Sequence, residues 1–128
     1  MRLPIRQATR AFNPIGRALA GHRWFTLYGL LVHRGRSSGR EYRTPLVIRP
    51  VEGGFVIPLP FGDRTQWVKN LFTAGGGTVI WNGRTYAVDL PEVIDQATAS
   101  PAFSGSQRAG IERFGLGSFL SVRIAAVD

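Results

Sequence analysis

The chain contains no cysteine, which removes disulfides, thiolate metal sites and cysteine nucleophiles together. Lysine is nearly as scarce. Lys69 is the single lysine among 16 basic residues, and without a Gly-Lys-Ser/Thr context it excludes a Walker A loop. Long apolar runs are missing too. The longest, Trp24 to Val32, falls far short of the roughly 20 residues a helix needs to cross a bilayer. No apolar h-region follows the N-terminal arginines, so a secretory signal is not expected. His22 and His33 are the only histidines and neither has a carboxylate close by in sequence, so no metal centre is expected. No Gly-x-Ser-x-Gly elbow marks a serine nucleophile. The expectation is a soluble cytoplasmic protein, with attachment to the inner face of the membrane left open.

Acid is almost absent from the first part of the chain. Residues 1–50 carry ten arginines against Glu41 alone, whereas residues 51–128 carry six basic and seven acidic residues. The formal net charge of +8 therefore belongs to the N-terminal part, where it attracts phosphates, carboxylates or anionic surfaces. Arginine supplies nearly all of it, and its planar fork suits bidentate binding of such groups. The 128 residues, 44% hydrophobic and 19% charged, fit one globular domain, 1–128.

Ile5, Ala8, Phe12, Ile15 and Leu19 recur at helical spacing, which predicts an amphipathic helical segment over 4–21, broken at Asn13-Pro14. Strand patterns then take over. Residues 25–33, 43–49 and 54–60 are rich in β-branched, aromatic and leucine residues. Pro45 places the second of them at a sheet edge or a bulge. Residues 65–75 read as a short helix ending at Gly75. Residues 78–90 read as a hairpin, because Asn82-Gly83 is the pair a type I′ turn requires. Residues 91–118 are polar and helix-prone in places, and 118–127 form a closing strand. About six antiparallel strands with a few short helices and no βαβ alternation predict a mainly β (α+β) fold, a small closed or split β-barrel. Asp63, Asp89, Glu92, Asp95 and Glu112 fall at the ends of predicted elements, where capping and solvation account for them.

Two loops carry chemistry. HRGRSSGREYR (33–43) packs four arginines and a histidine around two glycines and two serines. Backbone N–H groups, serine hydroxyls and guanidinium groups in one tight turn predict an anion nest. PLPFGDRTQW (58–67) leaves a strand through two prolines and enters a helix, whose N-terminal N–H groups can meet an anion or a heterocycle's carbonyl oxygens.

These residues resemble the deazaflavin-dependent nitroreductase family, whose members carry a GRxSGxxxxTPL motif followed by a loop and a W-x-x-NL helix. Here the motif is Gly35-Arg36-Ser37-Ser38-Gly39 with Thr44-Pro45-Leu46, then Trp67 with Asn70-Leu71. NPIGRALAG (13–21) is similar to the family's lead-in helix, and the resemblance covers roughly residues 13–90. It implies a split β-barrel and the cofactor F420, a deazaflavin with a phosphate and an acidic oligoglutamate tail. By matching position, Arg36, Ser37, Ser38 and Arg43 hold the phosphate and tail. Thr44, Pro45 and Leu46, with Pro60, Phe61, Gly62, Asp63 and Arg64, border the ring; Gly39 and Trp67 count among the cofactor-binding residues, although Trp67 taken alone reads as a core residue. Where family members often carry a lysine, this chain has Asp63-Arg64, and residues 91–128 offer Phe103, Phe114 and Phe119 but no tyrosine.

The resemblance implies an oxidoreductase that moves a hydride between F420 and an apolar quinone-like, nitro or unsaturated compound. The alternative is a fatty-acid-binding or membrane-surface protein on the same fold with little reductase activity, favoured by the arginine-rich N-terminal segment followed by Trp24 and Phe25. Nucleic acid is not expected as a partner, because the lysine-rich, aromatic-interleaved surface that binds single strands is missing. A homodimer is left open.

Overall fold

A computed structural model describes residues 27–128; the helical segment expected over 4–21 lies outside them. Seven strands form one antiparallel sheet: β1 (Tyr28–Arg34), β2 (Glu41–Val47), β3 (Arg49–Val51), β4 (Gly54–Pro58), β5 (Gly76–Trp81), β6 (Arg84–Asp95) and β7 (Ser118–Val127). The helices are α1 (Gln66–Ala74) between β4 and β5, and α2 (Gln96–Ala99) and α3 (Gly105–Phe114) between β6 and β7, with a 3₁₀ turn over Ser100–Ala102.

Strand order explains the shape. The sheet runs β2-β1-β5-β6-β7-β4-β3, so β2 and β3 are its opposite edges, yet only Ile48 separates them in the chain. A flat sheet could not satisfy both facts. The sheet must curl until its edges meet at Ile48, which is fully buried and donates its N–H to the Leu27 carbonyl at 3.3 Å. That curl is the split barrel. Pro45 sits on the edge strand β2, as its missing N–H requires, and Pro50 sits on the other edge, β3.

The run expected as one strand over 43–49 divides at this corner, which makes seven strands rather than about six. The other extension is β6, which continues through Leu90-Pro91 to Asp95. A bulge between Asp89 and Glu92, with Leu90 at φ 50°, takes up the proline and re-aims the strand along β7. The Asn82-Gly83 turn adopts φ 51° and 77°, the left-handed pair of a type I′ hairpin.

Alternation along the strands builds two cores. Phe55 and Ile57 of β4 and Leu120 and Val122 of β7 point into the barrel with Leu31, Ile48, Val79, Val88 and, from α1, Trp67, Val68 and Leu71. Val56 and Phe119 point the other way, beneath Ala99, Phe103 and Ile111 of the α2–α3 segment. This double cover is why four successive residues of β4 are buried. α3 is held by a full capping box, Ser104 with Gln107. Phe103 and Phe119 pack at 5.7 Å between ring centroids, so both serve this second core.

Candidate functional site

β1 and β2 pair in register from Tyr28↔Val47 to Arg34↔Glu41, which fixes the base of the basic turn. The turn is tied by its own bonds. Gly35 N–H donates to the Arg40 carbonyl at 2.8 Å and Gly39 N–H to the Gly35 carbonyl at 2.9 Å. Arg40 N–H donates to Ser38 Oγ at 3.1 Å, and Arg34 Nη1 to the Gly39 carbonyl at 3.1 Å. Gly39 takes φ 70°, a conformation glycine adopts without steric cost. The Arg36 N–H is engaged as well, leaving the N–H groups of Ser37 and Ser38 as the turn's open donors. The turn is thus a rigid basic platform more than an open nest.

Its most informative side chain is Arg36, which reaches α1. The guanidinium donates from Nη1 to Asn70 Oδ1 at 2.8 Å and from Nη2 to Gln66 Oε1 at 2.7 Å. The Arg36 backbone N–H also donates to Asn70 Oδ1, at 3.2 Å. Gln66 and Asn70 are four apart and share one helix face, which is why one planar fork spans both. Of the five N–H donors of a guanidinium, two are used here, and the rest remain for a ligand.

Asn70 continues inward. Its Nδ2 lies 3.3 Å from His33 Nδ1, and His33 Nε2 lies 2.9 Å from Thr44 Oγ1. Asn70 Oδ1 already accepts from Arg36, so Nδ2 is the donor toward His33. With Nδ2 donating, His33 Nδ1 is the acceptor, an arrangement that the Nε2–H tautomer satisfies with Nε2 facing Thr44 Oγ1. His33, Thr44 and Asn70 are 2%, 4% and 3% exposed. A continuous polar line therefore runs from the barrel interior to the basic turn. The Tyr42 ring stacks on His33 at 5.7 Å.

The loop into α1 is stiffened by Pro60 and a turn closed by Gly62 N–H on the Leu59 carbonyl at 3.0 Å. Gly62 takes φ 79°. Leu59 is buried, while Pro60, Phe61, Asp63 and Arg64 are exposed, Phe61 to 68%. Thr65 occupies the N-cap position of α1 without making the cap hydrogen bond. Its Oγ1 is buried without a hydrogen-bond partner, although threonine at this position ordinarily satisfies a first-turn N–H. No acidic residue lies in that first turn, and Asp63, two residues before the cap, is the nearest carboxylate in the chain.

The expected site residues divide accordingly. Arg36 meets Gln66 in the first turn of α1, the helix that directly follows the Pro60–Arg64 loop. Thr44 faces inward onto His33, and Leu46 packs against the barrel core. Arg43 and Pro45 lie on the opposite face of β2, opposite Val32 and Leu30, and Arg43 pairs with Glu41 at 3.4 Å. Trp67 is in the barrel core. Gln66, Asn70 and His33 were not among the residues expected to form the site. Two of them had a faint local signal, His33 as a polar residue in an inward slot of β1 and Asn70 as the asparagine of the W-x-x-NL stretch; Gln66 had none. Next to His33, the β1–β5 ladder stops at Val32↔Thr78 and leaves a cleft of about 270 Å³ lined by Arg34, Glu41, Ala74 and Gly77 among others. Among the described residues, no group of three His, Cys, Asp or Glu side chains could hold a metal ion. No helix there is long and apolar enough to cross a membrane.

No family model and no curated protein matches the chain. Solved structures do match, and they share its fold. A pyridoxamine 5′-phosphate oxidase-related, FMN-binding protein from Nostoc punctiforme aligns at 16% identity and TM-score 0.57, over 99% of this chain and 83% of that one. A proposed 5-nitroimidazole antibiotic resistance protein from Bacteroides thetaiotaomicron aligns at 11% identity and TM-score 0.53, over 80% and 75%. A protein of unknown function from Agrobacterium tumefaciens aligns at 14% identity and TM-score 0.57, over 80% of this chain but only 50% of that one. The class these similarities define is the split barrel. At such identities they establish the architecture alone.

Proposed function

We propose that the chain is an F420-dependent oxidoreductase that moves a hydride between the deazaflavin and an apolar quinone-like, nitro or unsaturated compound. The observation that carries this reading is the Arg36 clamp, which joins the basic turn to the N-terminal end of α1. An anion there would meet a pre-oriented guanidinium, the N–H groups of Ser37 and Ser38, and the N-terminal end of a helix whose first turn holds no acid. The buried, unpartnered Thr65 Oγ1 fits an occupied site better than an empty one. The family resemblance narrows the anion to the phosphate and acidic tail of F420, and the FMN-binding neighbour makes a flavin-type cofactor consistent with the fold.

Arg36, Ser37 and Ser38 would hold the anionic part, and the rigid Pro60–Arg64 loop, with exposed Phe61, would offer an apolar edge to the ring. F420 supplies two-electron hydride chemistry when bound. The protein's share is to orient donor and acceptor and to exclude water, which needs no nucleophile from the chain.

The test is a parallel titration of the full chain with F420 and with FMN, followed by ligand fluorescence at low and high salt. Micromolar or tighter F420 binding, weakened by salt and by Arg36→Ala, is expected. Oxidation of the reduced cofactor by a naphthoquinone acceptor would then report hydride transfer. Tighter binding of FMN would reassign the cofactor. Binding of neither, with fatty acid co-purifying by mass spectrometry, would overturn the reading in favour of a lipid-binding barrel.

A further inference from the structure

We propose that the protonation state of His33 sets the pose of Arg36 through Asn70, so that a neutral His33 holds the anion site ready and a protonated one releases it. This rests on the anion-site reading above only for its consequence, since the coupling itself is internal to the protein. The line of hydrogen bonds has a fixed polarity. Arg36 gives to Asn70 Oδ1 twice, Asn70 Nδ2 gives to His33 Nδ1, and His33 Nε2–H gives to Thr44 Oγ1. A proton added at Nδ1 turns the middle junction into two donors facing each other. Rotating the Asn70 amide by half a turn repairs it, because Oδ1 then accepts from Nδ1–H. The same rotation points Nδ2 at the Arg36 N–H and guanidinium, again donor against donor. One asparagine cannot satisfy both ends, so protonated His33 and the clamped Arg36 exclude each other.

Among the described residues, the ring meets Thr44 and the Tyr42 ring from β2 and Asn70 from α1. Arg34 and Glu41 line the cleft beside it, and Arg36 stands on the far side of Asn70. Histidine is the side chain whose ordinary titration falls between about pH 5 and pH 8. A bare charge effect predicts that an anion binds more tightly as His33 gains its proton. The relay predicts the reverse sign, so the direction of the pH dependence separates the two.

Nitrogen-15 NMR of the full chain, from about pH 8 down to about pH 5, reads the relay without any ligand. The His33 ring should show the Nε2–H tautomer at the upper end, and the Arg36 backbone amide should shift with the same midpoint as the ring. Sulfate, which does not titrate in this range, is the anion probe. Its affinity should fall by roughly tenfold as His33 protonates, the worth of one hydrogen bond involving a charged group. Asn70→Asp separates positioning from mere structure. Its carboxylate accepts from Arg36 and from a protonated Nδ1 at once, so the Arg36 amide should stop tracking the ring and sulfate affinity should no longer fall on acidification. An Nδ1–H tautomer at the upper end, a ring that stays neutral throughout, an Arg36 amide indifferent to the ring, or unchanged pH dependence in Asn70→Asp would each overturn the relay. Absence of sulfate binding would instead overturn the anion site, and the ligand-free spectra would still decide the relay.

Discussion

Arg36 and Gln66 meet at 2.7 Å, and that contact joins two segments 30 residues apart in sequence into one basic corner. The turn alone would present its guanidinium groups on free side chains. Anchored on the helix face, Arg36 keeps its remaining N–H donors in a fixed place, which lowers the ordering cost of binding an anion.

The anchoring should be separable from the charge. Gln66→Ala keeps the guanidinium and removes one acceptor, so F420 affinity should fall by roughly two- to tenfold, the range of one hydrogen bond. Unfolding in urea should change by no more than about 0.5 kcal/mol, as for other substitutions away from the core. Arg36→Lys should not restore affinity lost in Arg36→Ala, since an ammonium cannot span Gln66 and Asn70 as the planar fork does. Fluorescence titration of the three variants checks both statements.

Gly54 is needed for reasons of space alone. A Cβ at this position would overlap the Val122 carbonyl oxygen of the paired strand, and a backbone atom cannot step aside as a side chain tip can. Gly54→Ala should destabilise by about 1–3 kcal/mol or more, as overpacking does. The urea midpoint reports it.

The hairpin tip tests a different kind of constraint. Asn82 sits at φ 51°, where residues with a Cβ are strained and asparagine is among the best tolerated. Asn82→Ala should cost about 1 kcal/mol or more, and Asn82→Gly less than Asn82→Ala, since glycine adopts this φ without strain. Thermal unfolding of both variants distinguishes backbone strain from loss of the side chain.

Asp95 gives the fold an acid-sensitive cap. Its carboxyl is held below the ordinary aspartate value by the Thr98 side-chain hydroxyl and then by the Thr98 backbone N–H, the latter at 2.9 Å. A depressed folded-state value means the unfolded chain binds the proton more readily. The contribution is therefore present above the unfolded value and lost as pH falls through the folded one. Asp95→Asn should flatten this part of the acid limb in urea unfolding at stepped pH. A limb as steep as before would show that other carboxylates carry it.

The fold was more legible than the site because each rests on interactions of different range. Asn82-Gly83, Gly75 and Pro45 act over a few residues, and each appears in the structure where the sequence placed it. The split of the second strand at Ile48 depends on the curl of the whole sheet, which no local pattern encodes. The bulge at Leu90-Pro91 was hidden for a similar reason, since proline argues against a strand unless the partner β7 is already known. At the site, Arg36 stood out by charge. His33 and Asn70 did not, because a lone histidine in a strand and an asparagine in a helix acquire meaning only when β1 and α1 pack together. The basic turn read as an open nest because its internal hydrogen bonds, such as Arg40 N–H to Ser38 Oγ, are invisible in composition.

Thr65 offers the sharpest contrast between stability and binding. Its Oγ1 is buried without a partner at the N-cap of α1, a position where the hydroxyl ordinarily contributes about 1 kcal/mol. Here it does not make that bond, so the ligand-free protein carries the desolvation of a hydroxyl without its reward. Thr65→Val keeps the shape and removes the group, and should leave the ligand-free chain as stable as before or more stable by about 1 kcal/mol. If the hydroxyl serves a ligand at the helix terminus, the same variant should bind F420 roughly two- to tenfold more weakly. Urea unfolding and ligand titration on one preparation test the pair of effects. Loss of stability with unchanged affinity would mark Thr65 as a cap of the ordinary kind.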